Sequence, residues 1–214
     1  MIVRRGLRQY DDNSMAPITP RQIRTFKSEA AFEAWLRANH ARAPEVWIKI
    51  FKKDSGVASV TAAQALDVAL CWGWIDGLRK SFDDRAFLQR YSPRRPKGTW
   101  SQINRDHIAR LTAAGRMTPR GQKEVDAAKA DGRWAAAYAP IRSTSEASIP
   151  EDLRAAIAAN PRALKKYRTL GKMNLFALTF RTNNMKTPEG RARKIAALVA
   201  MLANGETIVP QKKR

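Results

Sequence analysis

Residues 69–78, ALCWGWIDGL, mark the point at which a predicted helix gives way to a predicted strand. Upstream, Thr61 and Gln64 have the spacing of a capping box, and apolar residues then recur at helical intervals up to Trp72. Gly73 can end that helix in a left-handed conformation. The residues that follow, WIDGLRKS, are typical of a strand. This window therefore predicts a helix-to-strand corner and a fold that contains both kinds of element.

The segments around this corner complete a small α+β unit. Ser28 is placed to cap a helix whose aromatic and leucine side chains share one face. Residues 45–53, EVWIKIFKK, are apolar on both sides, as in a strand that is covered on both faces. Residues 86–92, AFLQRYS, follow the turn FDDR and are expected to form an antiparallel hairpin with WIDGLRKS. The N-terminal unit is therefore predicted to be α+β.

The rest of the chain predicts mostly helices. Ser101 and Thr118 are placed to begin helices, a helix from residue 161 could continue through NLFALTFR, and a final helix is predicted from Thr187 to Asn204. Residues 140–152, PIRSTSEASIPED, are poor in apolar side chains and rich in serine, as linkers are. The predicted organisation is a disordered extension at 1–22, with Met15 as an alternative start, an α+β part with following helices at 23–140, a linker at 141–150, a helical C-terminal region at 151–209 and a basic tail at 210–214.

The composition predicts a basic, folded protein. The chain has 214 residues, of which 44% are hydrophobic, so it can bury a substantial core. The 40 Lys and Arg against 19 Asp and Glu give a formal charge of +21, which favours polyanions such as nucleic acid, acidic lipid or acidic protein. A single cysteine and the lack of a secretory leader or an apolar span predict a cytoplasmic protein without a transmembrane segment.

Two residues in the opening window raise the question of reactivity. Cys71 lies at the predicted C-terminus of a helix, where the helix dipole does not favour a thiolate, so it is interpreted as a buried packing residue. Asp76 lies between Ile75 and Gly77 on an apolar strand, and burying a carboxylate there requires a partner. The favoured partner is an arginine from the loop before Trp100. The alternative is an acid at the mouth of a cleft.

The loop RYSPRRPKGTWSQIN, residues 90–104, combines cations, aromatic rings and a helix start, which suits a phosphate, a carboxylate or single-stranded nucleic acid. The alternative is a solvated basic loop held to the core by Trp100. No metal-ligand spacing, P-loop, dinucleotide fingerprint or nucleophile motif is present, so neither a metal, a cofactor nor a catalytic residue is predicted. The candidate ligand-binding or anion-binding residues are Trp74, Asp76, Arg90, Arg94, Arg95, Trp100, Ser101 and Asn104.

The order of motifs resembles that of one known family. FEAWLRANH, VWIKIFKKDSG, ALCWGWIDG, SPRRPKGTWSQIN and KTPEGRARKIAALVAMLANG occur in this order between about residues 24 and 209. In this they resemble the YdeI/OmpD-associated family, also called the bacteriocin-protection or OmdA-like family. The resemblance implies an α+β N-terminal part, a helical C-terminal region with a Lys- and Arg-rich helix, and a role in tolerance to bacteriocins or antimicrobial peptides. It brings no catalytic residues.

Three hypotheses follow from these observations. The first is a non-enzymatic cytoplasmic protein that supports tolerance to antimicrobial peptides, bacteriocins or envelope stress through a protein or small-molecule partner that the sequence leaves unidentified. The second is a nucleic-acid-binding protein that uses its basic surface. The third is an enzyme with a cleft around Asp76. An enzyme is the less favoured class, because no catalytic set is evident.

Overall fold

The computed structural model describes residues 23–211. The expectations for residues 1–22 and for the last part of the basic tail, residues 212–214, lie outside this range. The chain forms two compact units. The first unit contains residues 23–98 and His107–Asp131, and the second contains Thr99–Asp106 and residues 132–211.

The first unit combines a four-stranded sheet with helices. Its strands are β1 (Ile23–Arg24), β2 (Val46–Phe51), β3 (Trp74–Ser81) and β4 (Ala86–Pro93). Its complete helices are α1 (Glu29–Asn39), α2 (Ala62–Cys71) and α4 (Pro119–Ala130). The helix α3 (Gln102–Ala113) begins in the second unit and ends in the first.

The strand order of the sheet is β1-β2-β4-β3. β1 is parallel to β2, whereas β4 is antiparallel to both β2 and β3. On one face of the sheet Tyr91 lies 5.6 Å from Phe32, measured between ring centroids, and Trp74 lies 6.0 Å from Trp35. Because Phe32 and Trp35 belong to α1, this helix and the sheet share one aromatic core.

The helix-to-strand corner forms as the sequence predicts. The Thr61 hydroxyl and the Gln64 side chain make a reciprocal capping box at the start of α2. Gly73 follows α2 with a φ of 70°, and β3 begins at the next residue. Opposite this corner, the backbone of Gly121 in α4 lies against the carbonyl oxygen of Cys71 so closely that a Cβ atom would overlap it. Glycine is therefore the residue that allows α4 to meet the end of α2.

The second unit is helical around its own core. Its complete helices are α5 (Glu151–Ala158), α6 (Pro161–Tyr167), α7 (Lys172–Asn183) and α8 (Pro188–Ala203). Buried side chains from all four helices and from the preceding segment form this core: Ile149, Leu153, Ile157, Ala163, Tyr167, Leu175, Leu178, Leu198 and Leu202.

The predicted fold class, α+β, is confirmed, with three local differences. The two-residue strand β1 was not expected, since so short a segment carries no periodicity. α6 and α7 are separate helices because Gly171 lies between them as the N-cap of α7. The predicted linker at 141–150 contains two short 3-10 helices, Ile141–Ser143 and Glu146–Ser148, and its Ile149 is buried.

Candidate functional site

Asp76 lies exposed on β3 and not in the core. Among residues 23–211, β3 is an edge strand that pairs only with β4. Among residues 23–211, Asp76 forms no ion pair, with arginine or any other cation. The expectation of a buried acid paired to an arginine was therefore wrong, because burial on β3 is confined to Trp74 at its start and the strand is exposed at Asp76.

Neighbouring protein atoms nonetheless shield the Asp76 carboxylate from part of the solvent. Desolvation by neighbouring atoms raises the pKa of Asp76 above its ordinary value, although the charges of Arg79 and Arg94 act against this. The strand register shifts between Asp76 and Arg79. Buried Gln89 fills this irregularity, since its amide donates to the Gly77 carbonyl at 2.9 Å and its oxygen accepts from Arg79 Nε at 3.0 Å.

Trp74 and Arg90 are engaged in contacts within the first unit. Trp74 is 1% exposed, and its ring stands edge-on to Trp35 at an interplanar angle of 89°. Arg90 Nε donates to Glu45 Oε2 at 2.7 Å. The indole of Trp74 therefore packs the core, and the guanidinium of Arg90 is occupied by a carboxylate.

The two arginines of the SPRRP loop differ in exposure. Arg94 is buried, and its backbone N–H donates to the Gly73 carbonyl at 3.0 Å, which ties the loop to the corner after α2. Arg95 is exposed, and its carbonyl accepts from the Gly98 N–H at 3.0 Å. Lys97 within this turn has a φ of 62°. The loop is thus a tight, internally bonded turn that presents Arg95 to solvent.

Trp100, Ser101 and Asn104 belong to the second unit. The Ser101 hydroxyl accepts from the Asn104 N–H at 3.1 Å, so the predicted cap of α3 is confirmed. Trp100 is buried, and its ring centroid lies 5.0 Å from that of Trp134. The Arg105 guanidinium lies 5.4 Å from the centroid of Trp134. Hence the predicted residues separate into a strand-and-loop group in the first unit and a helix-start group in the second.

A cluster that the sequence reasoning missed joins α2 to α3 within the first unit. His107 Nδ1 lies 2.8 Å from Asp67 Oδ1, and Arg110 Nη2 donates to both carboxylate oxygens of Asp67, at 2.7 and 2.8 Å. Burial alone would raise the pKa of Asp67, but the hydrogen bonds from Arg110 and His107 bring it below its ordinary value. In the sequence, only the i, i+3 spacing of His107 and Arg110 indicates this cluster. Asp67 lies about forty residues earlier, so no local pattern connects it to them.

Cys71 behaves as the packing residue that the sequence predicts. It is 4% exposed, and burial raises the pKa of its thiol to about 11, so the thiolate is scarce near neutral pH. A cavity of about 200 Å³ lies beside Cys71 and Trp72, with Glu33 and Arg116 on its wall. Arg116 is already paired with Glu29. The cavity therefore offers no unpaired cation for an anionic ligand.

The helical region of the second unit carries a strongly basic surface. Residues 146–205 contain eleven Lys and Arg against four Asp and Glu. On α6, Arg162, Lys165 and Lys166 lie three and four positions apart and so share one face. None of these three pairs with an acidic side chain in the described range 23–211. No helix in that range is both long enough and apolar enough to cross a bilayer.

Two parts of the chain match two different family models. Residues 146–205 match the family model described as bacteriocin-protection, YdeI or OmpD-associated. Residues 24–124 match a domain of unknown function, DUF8412. No curated protein and no solved structure matches the chain.

The match to the bacteriocin-protection family covers a shorter part of the chain than the motifs suggested. ALCWGWIDG and SPRRPKGTWSQIN lie within residues 24–124, the stretch that matches the domain of unknown function. KTPEGRARKIAALVAMLANG ends at Gly205 and lies within the match to residues 146–205. That match includes all four helices of the second unit's core. Residues 146–205 are therefore similar to the bacteriocin-protection, YdeI or OmpD-associated family.

Proposed function

We propose that this protein acts in the cytoplasm, in a non-enzymatic role, to support tolerance to bacteriocins or other antimicrobial peptides. The observation that carries this proposal is the family match over residues 146–205, a stretch that includes the four helices built around their own core. The matched stretch therefore coincides with a folded region, and a folded region can carry a function.

The charge of the chain bears on how such tolerance would work. Membrane-active peptides are commonly rich in Lys and Arg on one helical face. A protein with a formal charge of +21 repels such peptides at long range. Tolerance would therefore act through an anionic cell component and not through capture of the peptide itself.

A survival experiment tests the proposed role. A bacterial strain that lacks the gene is complemented with the wild-type chain or with Leu198→Asp, which places a charge in the core of the second unit. Survival over a dose series of a cationic peptide should be restored by the wild type and not by Leu198→Asp. Equal survival with and without the wild-type chain would refute the proposal, and tight binding of the purified protein to the peptide would refute the anionic route.

The unpaired cations on α6 favour a second candidate function, binding to nucleic acid. Three cations on one helical face, Arg162, Lys165 and Lys166, suit successive phosphates of a duplex. Arg168 and Lys172 follow them and are exposed. Contacts of this kind give affinity without sequence preference and depend steeply on salt.

A matched pair of triple variants tests this candidate. Binding of a labelled 20-base-pair duplex is measured by anisotropy at several salt concentrations. Changing Arg162, Lys165 and Lys166 to Gln should reduce the magnitude of the negative slope of log K against log salt by about 3, since each phosphate contact contributes about 0.9. Changing the exposed Lys27, Arg42 and Lys53 of the first unit removes equal charge and should leave the slope nearly unchanged. Equal effects of both triples would refute a site on α6.

A further inference from the structure

An open groove lies between α5 and α8 in the second unit. Its volume is about 730 Å³. The wall consists mainly of small apolar side chains, with one contributed by α5 and the others by α8: Ala156, Ala192, Ile195, Ala196, Val199 and Ala200. The groove therefore presents an apolar floor without bulky side chains.

α8 has a second apolar face in addition to the one that packs in the core. Leu198 and Leu202 are buried, as expected for the core face of an amphipathic helix. Ala192, Ala196 and Ala200, spaced at i, i+4 and i+8, are exposed and line the groove. Alanine at a helix contact allows the axis of a neighbouring helix to approach closely, because interaxial distance depends on the side chains between the two helices. The groove therefore has a shape that can accept one more helix.

The two charged side chains of the groove, Asp152 and Arg191, are paired with each other. Arg191 forms a two-pronged pair with Asp152, from Nε to Oδ2 at 2.6 Å and from Nη2 to Oδ1 at 2.9 Å. Arg191 Nη1 also donates to the Thr182 carbonyl at 3.0 Å. Because the Arg191 guanidinium is already hydrogen-bonded, it is not available to bind an anion in the groove. An occupant would be held by apolar contact along the alanines.

The positive charge around the groove favours an acidic helix over a basic one as the ligand. Arg193, next to Ala192 on α8, is exposed and has no acidic partner in the described part of the chain. The surrounding residues 146–205 have eleven cations against four anions. A second copy of this chain would bring a like charge of +21, and a basic helix would be repelled in the same way. An acidic helix is attracted, and its charged flank would face these cations.

We propose that the groove between α5 and α8 binds an amphipathic helix of another protein, with an apolar face on the alanines and acidic residues on its flanks. This is the helix-in-groove mode of recognition, in which apolar side chains at i, i+3, i+4 and i+7 anchor the ligand. The proposal rests on the proposed function only in that such a helix would belong to the anionic component through which tolerance acts. Binding is measured on purified protein and tolerance by cell survival, so either can fail alone.

The test uses the full chain and three labelled synthetic peptides of 18 residues. One has Leu on one helical face and Glu elsewhere, the second has Lys in place of Glu, and the third is a scrambled form of the first. Fluorescence anisotropy should show binding of the first peptide at least tenfold tighter than of the other two. If the scrambled peptide binds equally, charge alone is responsible, and if the Lys peptide binds equally, charge complementarity is absent. Either result overturns the proposal.

A pair of neighbouring alanines provides the matched variants. Ala196 lines the groove, whereas Ala197 is exposed on the same helix outside it. Ala196→Glu and Ala197→Glu change the net charge equally and keep a good helix former. Ala196→Glu should weaken binding of the acidic peptide at least tenfold, and Ala197→Glu less than twofold. Equal effects would overturn the proposal. A wild-type dimer in sedimentation equilibrium that Ala196→Glu dissociates would also overturn it, because the occupant would then be a second copy.

Discussion

Gly121 shows how one residue sets a helix contact in the first unit. Its missing side chain allows α4 to lie against the last carbonyl groups of α2, where Thr118 Oγ donates to the Cys71 carbonyl at 2.6 Å. The obstructing atoms belong to the backbone of α2 and cannot move aside as a flexible side chain would. A methyl group at position 121 therefore has to separate the two helices.

We expect Gly121→Ala to lower the free energy of unfolding by about 1–3 kcal/mol, the usual cost of overpacking a tight contact. Urea unfolding at neutral pH measures this change. Gly77→Ala is the control, since a Cβ there meets only ordinary van der Waals distances. A Gly121→Ala variant as stable as Gly77→Ala would contradict the contact between α2 and α4.

Asp67 and Asp76 should affect stability in opposite directions. Hydrogen bonds from Arg110 and His107 lower the pKa of Asp67 below its ordinary 3.8, so its ionised form favours the folded state above that pH. This contribution is lost as the pH falls below 3.8. Desolvation raises the pKa of Asp76 above 3.8, so its ionisation favours the unfolded state as the pH rises through the folded value.

We therefore expect Asp67→Asn to lower the thermal midpoint at pH 7 and Asp76→Asn to raise it. Both differences from wild type should shrink as the pH falls below 3.8, because an increasing share of the carboxyl groups is then protonated. Thermal unfolding followed by circular dichroism from pH 3 to pH 7 measures the two trends. Because both variants remove one negative charge, a shift of the same sign in both would show that net charge and not local environment is responsible.

At the scale of elements, local sequence signals located most helices and strands. Ser28, Thr61 and Thr118 each cap a helix through the hydroxyl group, as their positions predict, and Thr187 caps α8 at the predicted start of the last helix. β1 was missed because two residues carry no pattern and are ordered by pairing with β2. Strand order depends on contacts between distant segments, and for the same reason the exposure of Asp76 on an edge strand could not be predicted.

One planar ion pair, between Arg191 and Asp152, links α8 to α5 in addition to their apolar core contacts. We expect Arg191→Lys to lower the thermal midpoint by about 2–4 °C, since a lysine cannot reproduce both prongs of the pair with Asp152 and a partly exposed pair is worth about 1 kcal/mol or less. Arg193→Lys is the control, because the exposed Arg193 has no acidic partner among residues 23–211. If both substitutions gave the same midpoint, the fork geometry would contribute nothing.

At the scale of the whole molecule, composition predicted the basic character but not where contacts would form. Trp74 and Arg90 were predicted to belong to the binding site, yet one packs in the core and the other pairs with Glu45. The cluster of Asp67, His107 and Arg110 was missed because its members come from two helices that fold next to each other. Proximity of this kind follows from the packing of elements and leaves no local pattern.

The excess of positive charge should make stability depend on salt. With a formal charge of +21, the folded state suffers more self-repulsion than the expanded chain, and added salt screens it. We expect the thermal midpoint to rise between 20 and 200 mM NaCl. Sucrose of matched osmolality is the control for a general solvent effect. A midpoint that falls with NaCl would mean that attractive ion pairs outweigh the repulsion.

The strand order β1-β2-β4-β3 also has a consequence for the order of folding events. β3 and β4 are joined by a short turn, so their hairpin closes a small loop at little entropic cost. β2 pairs with β4 only after the chain has passed through α2 and β3, with Val46 opposite Tyr91. Such a non-local pairing forms more slowly than a local one. The hairpin should therefore serve as the template on which β2, and then β1, add to the sheet.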